Sequence, residues 1–344
     1  MIFQGLCEFH NLLFAAFKGK PGDDQLYYGY WDGSGWSSRY KIEFSNGSAK
    51  SNVGVALTVF NNQLYAALKG ASDTLLWFSS ATFDSQTQSL VWQPQARIQT
   101  PASGAPEFRS STGPSLAVYN NQLYALYQGA TSDGLYYTSM TASTPWTSQY
   151  HIPLVGAFAG ATLAALNIPP AGTTAAIPSS LLYAGFGGAT KEYNWYMVID
   201  PPDSSFPAPN ITESHMAGYS SIGPSFAIFG EYLYAAWVGE GNDERIWFSS
   251  LIFQQVTPNP VWGPQWAEPL EPLWTPQQQI PSGSALTGPG DAGYSSVGPA
   301  LAQFGSDLYG MWVGPSGDNT LYFGYLNSTG WKMSGSTGYE CGQD

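Results

Sequence analysis

Six turns in this chain place an acidic residue just before a strand rich in aromatic residues. In five of them the acid stands three residues before the first apolar position of the strand: Asp23, Asp73, Glu192, Asp243 and Asp318. In the sixth, Asp133 stands two residues before Leu135. A carboxylate accepts hydrogen bonds, so these acids could bind a ligand rich in hydroxyl groups. They could also bond their own backbone two residues on and only close the turn.

A large side chain stands two residues before the glycine that precedes each of these turns. The six side chains are Phe17, Leu68, Tyr127, Phe186, Trp237 and Trp312. An aromatic ring presents a flat apolar surface, and the C–H face of a sugar can stack on it while an acid binds the hydroxyl groups. The alternative is that these rings, like most strand aromatics, belong to the core between repeat units.

We predict shallow sugar sites between neighbouring units, on the face that carries the acidic turns. Units five and six match each other best, because both also contain the run Ala-Gly-Tyr-Ser-Ser, at 217–221 and 292–296. The predicted sugar-binding residues are Trp237, Asp243, Tyr219, Trp312, Asp318, Tyr294, Tyr127, Asp133, Phe17 and Asp23. Units two and four are expected to bind poorly, since Leu68 is a small surface and Glu192 lies in an irregular unit.

The turns belong to a repeat that occurs six times. Its glycines are Gly19, Gly70, Gly129, Gly188, Gly239 and Gly314, at spacings of 51, 59, 59, 51 and 75 residues. The 30 residues after Gly314 and the 19 up to Gly19 together make 49, about one further repeat. Repeats of this length indicate a solenoid or a propeller, and the matching ends favour a closed ring of six units.

Each unit contains four strand-like segments. A small apolar segment is followed by a Leu-Tyr-Ala segment, a segment with paired aromatics, and a segment that opens with Trp. Four-stranded units arranged radially define a β-propeller. We therefore predict an all-β fold, a six-bladed β-propeller of four-stranded antiparallel blades, in one domain over residues 1–344. The predicted blades cover approximately 1–44, 52–100, 112–154, 159–213, 222–281 and 297–337.

Two units depart from the pattern. Unit four has an insertion around 169–172, and Phe206 stands where the other units have Trp. Unit five has about twenty additional residues, roughly 254–272, between its third and fourth strands. Long connections are often functional, so this segment could contact a protein partner, although a tolerated insertion is the favoured explanation.

Composition excludes several classes of function. The net charge is −13, with only 11 Lys and Arg residues and no basic cluster in the sequence, so nucleic-acid binding is not expected. No segment has the ~20 apolar residues of a transmembrane helix, so membrane insertion is not expected either. No cofactor or metal motif occurs. The sequons at Asn46, Asn210 and Asn327 favour an extracellular or secreted protein, the alternative being a cytoplasmic protein made without a leader.

Cys7 and Cys341 are the only cysteines and lie near opposite ends of the chain. In a closed ring those ends meet, so the two residues are predicted to form a disulfide that joins the first and last blades. The alternative is two unrelated thiols, because other units have Ala at the position of Cys7.

Sequence signatures of catalysis are few. The innermost strands contain a single acid, Glu8. The four arginines (Arg39, Arg97, Arg109 and Arg245) come from different strand positions, and the three histidines (His10, His151 and His215) have no metal-ligand spacing. Paired carboxylates could still converge in space, so an enzyme remains an open but less favoured alternative.

The aromatic-rich units with Leu-Tyr-Ala strands and turn acids resemble the repeat β-propeller lectins of fungi and bacteria. The resemblance implies several glycan sites on one ring and no catalysis. The fucose-binding fungal members use an Arg, a Glu and an aromatic residue in each pocket between blades. This chain lacks one Arg per blade, so that site is not carried over. A glycan-active hydrolase or lyase and a protein-interaction scaffold are the alternatives; the sugar and the oligomeric state stay open.

Overall fold

A computed structural model of the protein describes residues 5–101, 104, 106–131, 134–166, 181–188, 193–200, 210–220, 222–254, 271–281 and 293–342. Throughout these residues the regular structure is β-strand, and the strands form six antiparallel blades of four strands each. The predicted fold class is therefore confirmed. The insertion at 169–172, Phe206 and most of the 254–272 segment lie outside the described residues.

Blades one and two follow the predicted order from the ring centre outwards. Blade one consists of β1 (Gly5–Phe9), β2 (Leu12–Lys18), β3 (Leu26–Trp31) and β4 (Tyr40–Lys41). A small hairpin of β5 (Glu43–Phe44) and β6 (Gly47–Ser48) follows it. Blade two consists of β7 (Val55–Phe60), β8 (Gln63–Lys69), β9 (Leu76–Asp84) and an outer strand in two pieces, β10 (Ser89–Trp92) and β11 (Ala96–Arg97).

Blades three and four share one long strand. Blade three consists of β12 (Ser115–Tyr119), β13 (Gln122–Gln128), β14 (Gly134–Met140) and the first part of β15 (Tyr150–Leu166). The second part of β15 is the innermost strand of blade four, followed by β16 (Leu181–Gly188), β17 (Tyr193–Asp200) and β18 (Asn210–Tyr219). The chain thus passes between these blades without leaving the sheet.

Blades five and six complete the ring. Blade five consists of β19 (Ser225–Phe229), β20 (Tyr232–Val238), β21 (Ile246–Gln254) and an outer strand in two pieces, β22 (Glu271–Trp274) and β23 (Gln278–Gln279). Blade six consists of β24 (Ala300–Phe304), β25 (Asp307–Val313), β26 (Thr320–Asn327) and β27 (Gly330–Glu340).

In blades one, two, three, five and six, tight two-residue turns join the two inner strands. In blades one to three both turn residues have positive φ, between 46° and 58°: His10-Asn11, Asn61-Asn62 and Asn120-Asn121. Such type I′ turns match the right-handed twist of the strands they connect. Asparagine tolerates this conformation better than most residues, which explains the repeated Asn pairs.

The core lies between blades. Each pair of neighbouring blades buries its own cluster of apolar side chains, and one cluster joins blade six to blade one. The tryptophan that opens the fourth strand packs edge-on against the third strand of the preceding blade. Ring centroids lie 5.4–5.6 Å apart in the pairs Trp36–Phe323, Trp146–Phe78, Trp274–Tyr196 and Trp331–Phe248. Both faces of a blade are therefore buried against neighbours.

The C-terminal residues close the ring with the same backbone hydrogen bonds that the connection between blades five and six makes. Between blades five and six, Ser295 N donates to Glu244 O (2.7 Å) and Ser296 N donates to Gly314 O (3.2 Å). At the end of blade six, Cys341 N donates to Asn319 O (2.9 Å) and Gly342 N donates to Gly19 O (2.7 Å). Cys341 thus occupies the position that a buried serine holds in other connections.

The predicted disulfide is not formed, since both cysteines are free. Cys7 lies on the innermost strand of blade one, within the cluster between blades one and two. Cys341 follows the outermost strand of blade six and lies in the cluster between blades six and one. Four strands separate the inside of a blade from its outside at about 4.8 Å per step, whereas a disulfide needs Cα atoms within about 7 Å. Ring closure brings the blades together but leaves the cysteines at different radii.

Candidate functional site

The acids of the repeated turns bond mainly to their own turn. Oδ1 accepts the backbone N–H two residues on in four blades, at 2.9–3.1 Å: Asp23, Asp73, Asp243 and Asp318. Oδ2 accepts a hydrogen bond from the aromatic side chain four residues on, in Tyr27 (3.0 Å), Trp247 (3.1 Å) and Tyr322 (2.9 Å). These contacts support the structural interpretation of the acids. Asp133 and Glu192 lie outside the described residues.

In blades five and six these hydrogen bonds keep the carboxylates ionised. Partial burial acts to raise the pKa of Asp243, but hydrogen bonds from Arg245 and Trp247 outweigh it and hold the pKa below its ordinary value. In the same way Thr320 and Tyr322 lower the pKa of Asp318 against the effect of burial. The turns of blades five and six therefore present fixed negative charge at neutral pH.

The repeated glycine is explained by the same turn. A Cβ atom at Gly19, Gly70, Gly239 or Gly314 would collide with the carboxylate of the aspartate in its own turn. The glycine lets that carboxylate fold back over the backbone. The Gly–Asp pairing along the sequence is thus a folding feature.

The rings two residues before these glycines lie in the core. Trp237 and Trp312 have 0% exposure, and Phe17, Tyr127, Phe186 and Leu68 are also buried. Their side chains face the neighbouring blade. They are therefore buried, although they lie near the ends of their strands. The sequence analysis predicted that four of these rings stack on a sugar: Phe17, Tyr127, Trp237 and Trp312. That prediction is wrong, because the buried rings present no face to a ligand.

A second aromatic residue lies directly outside each buried one. It is the third-strand residue that pairs with it across the sheet: Tyr27, Trp77, Tyr136, Trp195, Trp247 and Tyr322. Four of them, in blades two to five, are partly exposed. Each forms one corner of a four-residue surface made by two third-strand residues, i and i+2, and the two outer residues paired with them. We call this surface the outer panel.

The six outer panels occupy equivalent positions but carry different side chains. In chain order they are Gln25/Lys50 with Tyr27/Lys41; Leu75/Arg109 with Trp77/Arg97; Gly134/Gly156 with Tyr136/His151; Tyr193/Tyr219 with Trp195/His215; Arg245/Tyr294 with Trp247/Gln279; and Thr320/Glu340 with Tyr322/Ser336. Side chains at i and i+2 and their cross-strand partners share one face of a sheet. Each panel therefore presents at least one aromatic ring, at the end of the blade near the acidic turns. Blade five has two such rings, Trp247 and Tyr294, and blade four has three, Tyr193, Trp195 and Tyr219, beside His215.

Most arginines and histidines of the chain converge on these aromatic corners. Guanidinium carbons lie 4.7–5.3 Å from ring centroids in the pairs Arg39–Tyr27, Arg97–Trp77 and Arg245–Trp247. Imidazole centroids lie 4.9 Å from Tyr136 (His151) and 4.0 Å from Trp195 (His215). In the sequence these arginines and histidines share no strand position. The outer strands are short or interrupted, so the number of residues between each basic side chain and its aromatic ring differs from blade to blade.

Tyr219 and Tyr294, both predicted site residues, are corners of the panels of blades four and five. The sequence grouped them with units five and six, so their placement is corrected by one blade. Tyr219 is 47% exposed, its ring lies 4.5 Å from that of Tyr193, and its hydroxyl donates to that of Tyr193 at 3.1 Å. This hydrogen bond raises the pKa of Tyr219. Tyr294 is partly exposed and pairs with Arg245. The structure thus brings Tyr219, Tyr294 and Asp243 to the predicted face and places Trp237 and Trp312 beneath it.

The outer panel of blade four is the most apolar of the six. The imidazole of His215 stacks on Tyr193 at 5.6 Å and contacts Trp195 edge-on. His215 and Tyr219 are both exposed. In blade five Arg245 donates to Asp243, and Trp247 Nε1 donates to the same carboxylate. Blade four thus offers flat ring surface, and blade five offers rings together with charged and amide groups.

Among the described residues, cavities open in the central channel and between two of the blades. The central channel holds one of about 90 Å³, walled by the first residues of the inner strands, and none of its lining residues is an acid or a histidine. Another, of about 470 Å³, opens between blades two and three beside Phe78, Met140 and Trp146. No group of His, Cys, Asp and Glu among the described residues could hold a metal ion. The described part of the chain also has no helix able to cross a membrane.

Comparison with solved structures finds the same fold in sugar-related proteins. The chain superposes on the fucose-specific lectin of Aleuria aurantia with a TM-score of 0.60 at 13% identity, over 97% of this chain and 94% of the lectin. An α-L-arabinofuranosidase of Fusarium graminearum gives 0.59 at 10% identity, over 95% and 93%. An α-L-arabinanase of Penicillium chrysogenum, solved with arabinobiose, gives 0.55 at 11% identity, also over 95% and 93%. No family profile matches the sequence, and no curated protein matches it significantly. At these identities the likeness establishes the six-bladed propeller fold, which is found in both lectins and hydrolases.

Proposed function

We propose that this protein is a carbohydrate-binding protein, a lectin without catalytic activity, whose sugar sites are outer panels of the propeller. The observation that carries the proposal is the pair of panels on blades four and five. They place exposed or partly exposed rings beside Arg245, Gln279 and the ionised Asp243. A pyranose has an apolar face for such rings and hydroxyl groups for such polar neighbours.

The position of the panels supports binding to surfaces that carry many glycans. An open panel buries little of a sugar, and hydroxyl groups exchange bonds with water at small net gain. We therefore expect single sites near millimolar Kd, about −4 kcal/mol. Because the ring fixes several panels on one face, avidity on a dense glycan surface can exceed single-site affinity by roughly 10²-fold. A secreted location fits this role and is part of the proposal.

The hydrolase alternative finds less support in the described residues. Glycosidases need two carboxyl groups separated by about 5–10 Å across the bond they cleave. No carboxyl group lines the central cavity. The turn acids of the described blades belong to different blades, and each is bonded within its own turn.

The proposal is tested on a glycan array with the wild type and the double variant Tyr219→Ala/Tyr294→Ala. The wild type is expected to bind a defined set of glycans. The variant should lose at least about tenfold in apparent affinity, since the panels of blades four and five both lose stacking area. Tyr232→Ala is the matched control, because Tyr232 is 44% exposed but begins β20 at the opposite end of blade five. No glycan binding by the wild type, an equal loss in the control, or release of sugar products from bound glycans would contradict the proposal.

A further inference from the structure

The charge of this protein is divided unevenly along the ring. Residues 1–109 contain eight Lys and Arg and eight Asp and Glu, so blades one and two are neutral overall. Residues 110–344 contain three Lys and Arg against sixteen Asp and Glu, which accounts for the whole net charge of −13. Any anionic ligand therefore meets the least repulsion at blades one and two.

Four of the eight Lys and Arg residues of blades one and two are corners of outer panels. Lys41 and Lys50 are corners in blade one, and Arg97 and Arg109 are corners in blade two. Among the other described panels only blade five has a Lys or Arg corner, Arg245, and that guanidinium is bonded to Asp243. The panels thus differ in charge although they share one position in the fold.

Blade two provides the best-defined geometry. Glu107 lies between the two arginines: its Oε1 accepts from Arg97 Nη1, and its Oε2 accepts from Arg109 Nη2 at 2.6 Å. Arg109 Nη1 also donates to Thr74 Oγ1 at 2.9 Å, and Arg97 lies over Trp77 at 5.3 Å. Hydrogen bonds from Arg109 and Arg97 lower the pKa of Glu107, so the carboxylate stays ionised.

The group of two arginines and one glutamate keeps an excess positive charge. Each guanidinium has five N–H donors in a fixed plane, and the contacts named above use only a few of them. A planar carboxylate matches this donor arrangement, as Glu107 itself shows. Trp77 is partly exposed at the same panel and lies under the Arg97 guanidinium, so it holds that guanidinium in place and offers the uncovered part of its ring to a sugar whose carboxylate binds the arginines.

We propose that the outer panel of blade two binds acidic sugars, in which a carboxylate is attached to the sugar ring, through Arg97, Arg109 and Trp77. This inference rests on the proposed carbohydrate-binding function and adds selectivity to it. The panels of blades four and five serve neutral rings, and the panel of blade two serves uronic-acid units. One molecule would then bind polysaccharides that contain both kinds of residue.

The test compares two probes, a trisaccharide of galacturonic acid and the matching neutral trisaccharide of galactose, by calorimetric titration at low and high salt. The wild type is expected to bind the acidic trisaccharide about tenfold more tightly, and about 0.5 M NaCl should remove most of that preference. Arg97→Gln/Arg109→Gln should lose the preference and keep binding to neutral glycans. Lys20→Gln/Lys332→Gln, which removes two charges elsewhere, should keep the preference.

Each other outcome overturns the inference. Binding of neutral glycans with no preference for the acidic trisaccharide contradicts the inference alone, whereas binding of no sugar at all contradicts the proposed function as well. An equal loss of preference in the Lys20→Gln/Lys332→Gln control shows an effect of net charge and not of this panel. Equally tight binding of a short single-stranded DNA oligonucleotide shows a general anion surface. Circular dichroism and thermal unfolding of each variant verify that the fold is intact.

Discussion

At the scale of single residues, the acids of the repeated turns close their turns and also orient the aromatic residues of the outer panels. Each described aspartate closes its turn through Oδ1, and in three blades it orients the neighbouring aromatic corner through Oδ2. Two bonds from one carboxylate thus fix both the backbone and the ring of an outer panel. The turn acids are better described as residues that position the panel than as the primary sugar ligands.

These hydrogen bonds predict how stability depends on pH. The pKa of Asp318 is lower in the folded protein than its ordinary value of 3.8, so its contribution to stability is complete above that value and is lost as pH falls through the folded pKa. Asp318→Ala should cost about 1–3 kcal/mol at pH 7, because Thr320 N and the Tyr322 hydroxyl lose a charged acceptor.

Urea unfolding of the wild type and of Asp318→Ala at pH 7 and near pH 3 checks this prediction. The difference in the free energy of unfolding should shrink at the lower pH, where the wild-type carboxyl is increasingly protonated. Asp307→Ala is the control, since Asp307 lies on the opposite end of the same blade. A difference that is constant across pH would show that the charge of Asp318 contributes nothing.

At the scale of elements, the strands explain both what the sequence revealed and what it concealed. Gly spacings, Asn pairs and the Trp of the fourth strand all recur locally, so the blades could be predicted from the sequence alone. Alternation along a strand separates its two faces, but both faces of a propeller blade are buried. The sequence pattern therefore predicted that Trp237 and Trp312 are exposed at the ends of their strands. In the structure both are buried, and each lies beneath a second aromatic residue.

The outer panels were concealed for a different reason. Their corners come from the third strand, the outer strand and the connection to the next blade, and only the pairing register brings them together. Arg97 belongs to a separate two-residue strand and Arg39 precedes β4, so no constant spacing connects either with its ring. The sequence singled out Tyr219 and Tyr294 because their shared run of five residues exceeds what a connection requires. The structure places both at the surface, and their binding of a sugar stays a prediction.

The edge-on tryptophan contacts between blades give the second prediction on stability. Trp146 is 3% exposed and packs on Phe78 of the preceding blade. Trp146→Ala should lower the free energy of unfolding by about 3–5 kcal/mol, the usual cost of deleting a buried aromatic ring. Trp146→Phe should recover part of the loss, because it keeps an aromatic contact with Phe78.

Chemical denaturation measured by fluorescence checks this prediction. Val91→Ala is the control, since Val91 is 49% exposed on the outer strand of blade two and should change stability by less than about 0.5 kcal/mol. If Trp146→Ala behaves like Val91→Ala, the contacts between blades are not what holds neighbouring blades together.

At the scale of the whole molecule, the ring is closed by the last residues of the chain. Tyr339 stacks on Phe17 at 5.2 Å, donates to Ser37 O at 2.6 Å and packs against Trp36 of blade one. Removing residues 339–344 deletes these contacts and the backbone bonds of Cys341 and Gly342. The truncated protein should have a Tm several degrees below that of the full chain, because blades one and six lose part of their shared core.

Removal of residues 343 and 344 alone provides the control for this truncation, because it leaves those contacts intact. The measurement is differential scanning calorimetry at one protein concentration, with and without reductant. Since Cys7 and Cys341 are free, reductant should leave both transitions unchanged. An unaltered Tm after removal of residues 339–344 would show that ring closure does not depend on these contacts.

The central claim is that the outer panels of a six-bladed ring bind sugars and do not cleave them. Its most direct measurement is a calorimetric titration of the wild-type protein with a neutral oligosaccharide selected on the glycan array, followed by chromatography of the recovered sugar. The account predicts saturable binding that Tyr219→Ala weakens and that leaves the oligosaccharide intact. Absence of saturable binding, binding unaffected by Tyr219→Ala, or recovery of shorter sugars would contradict it.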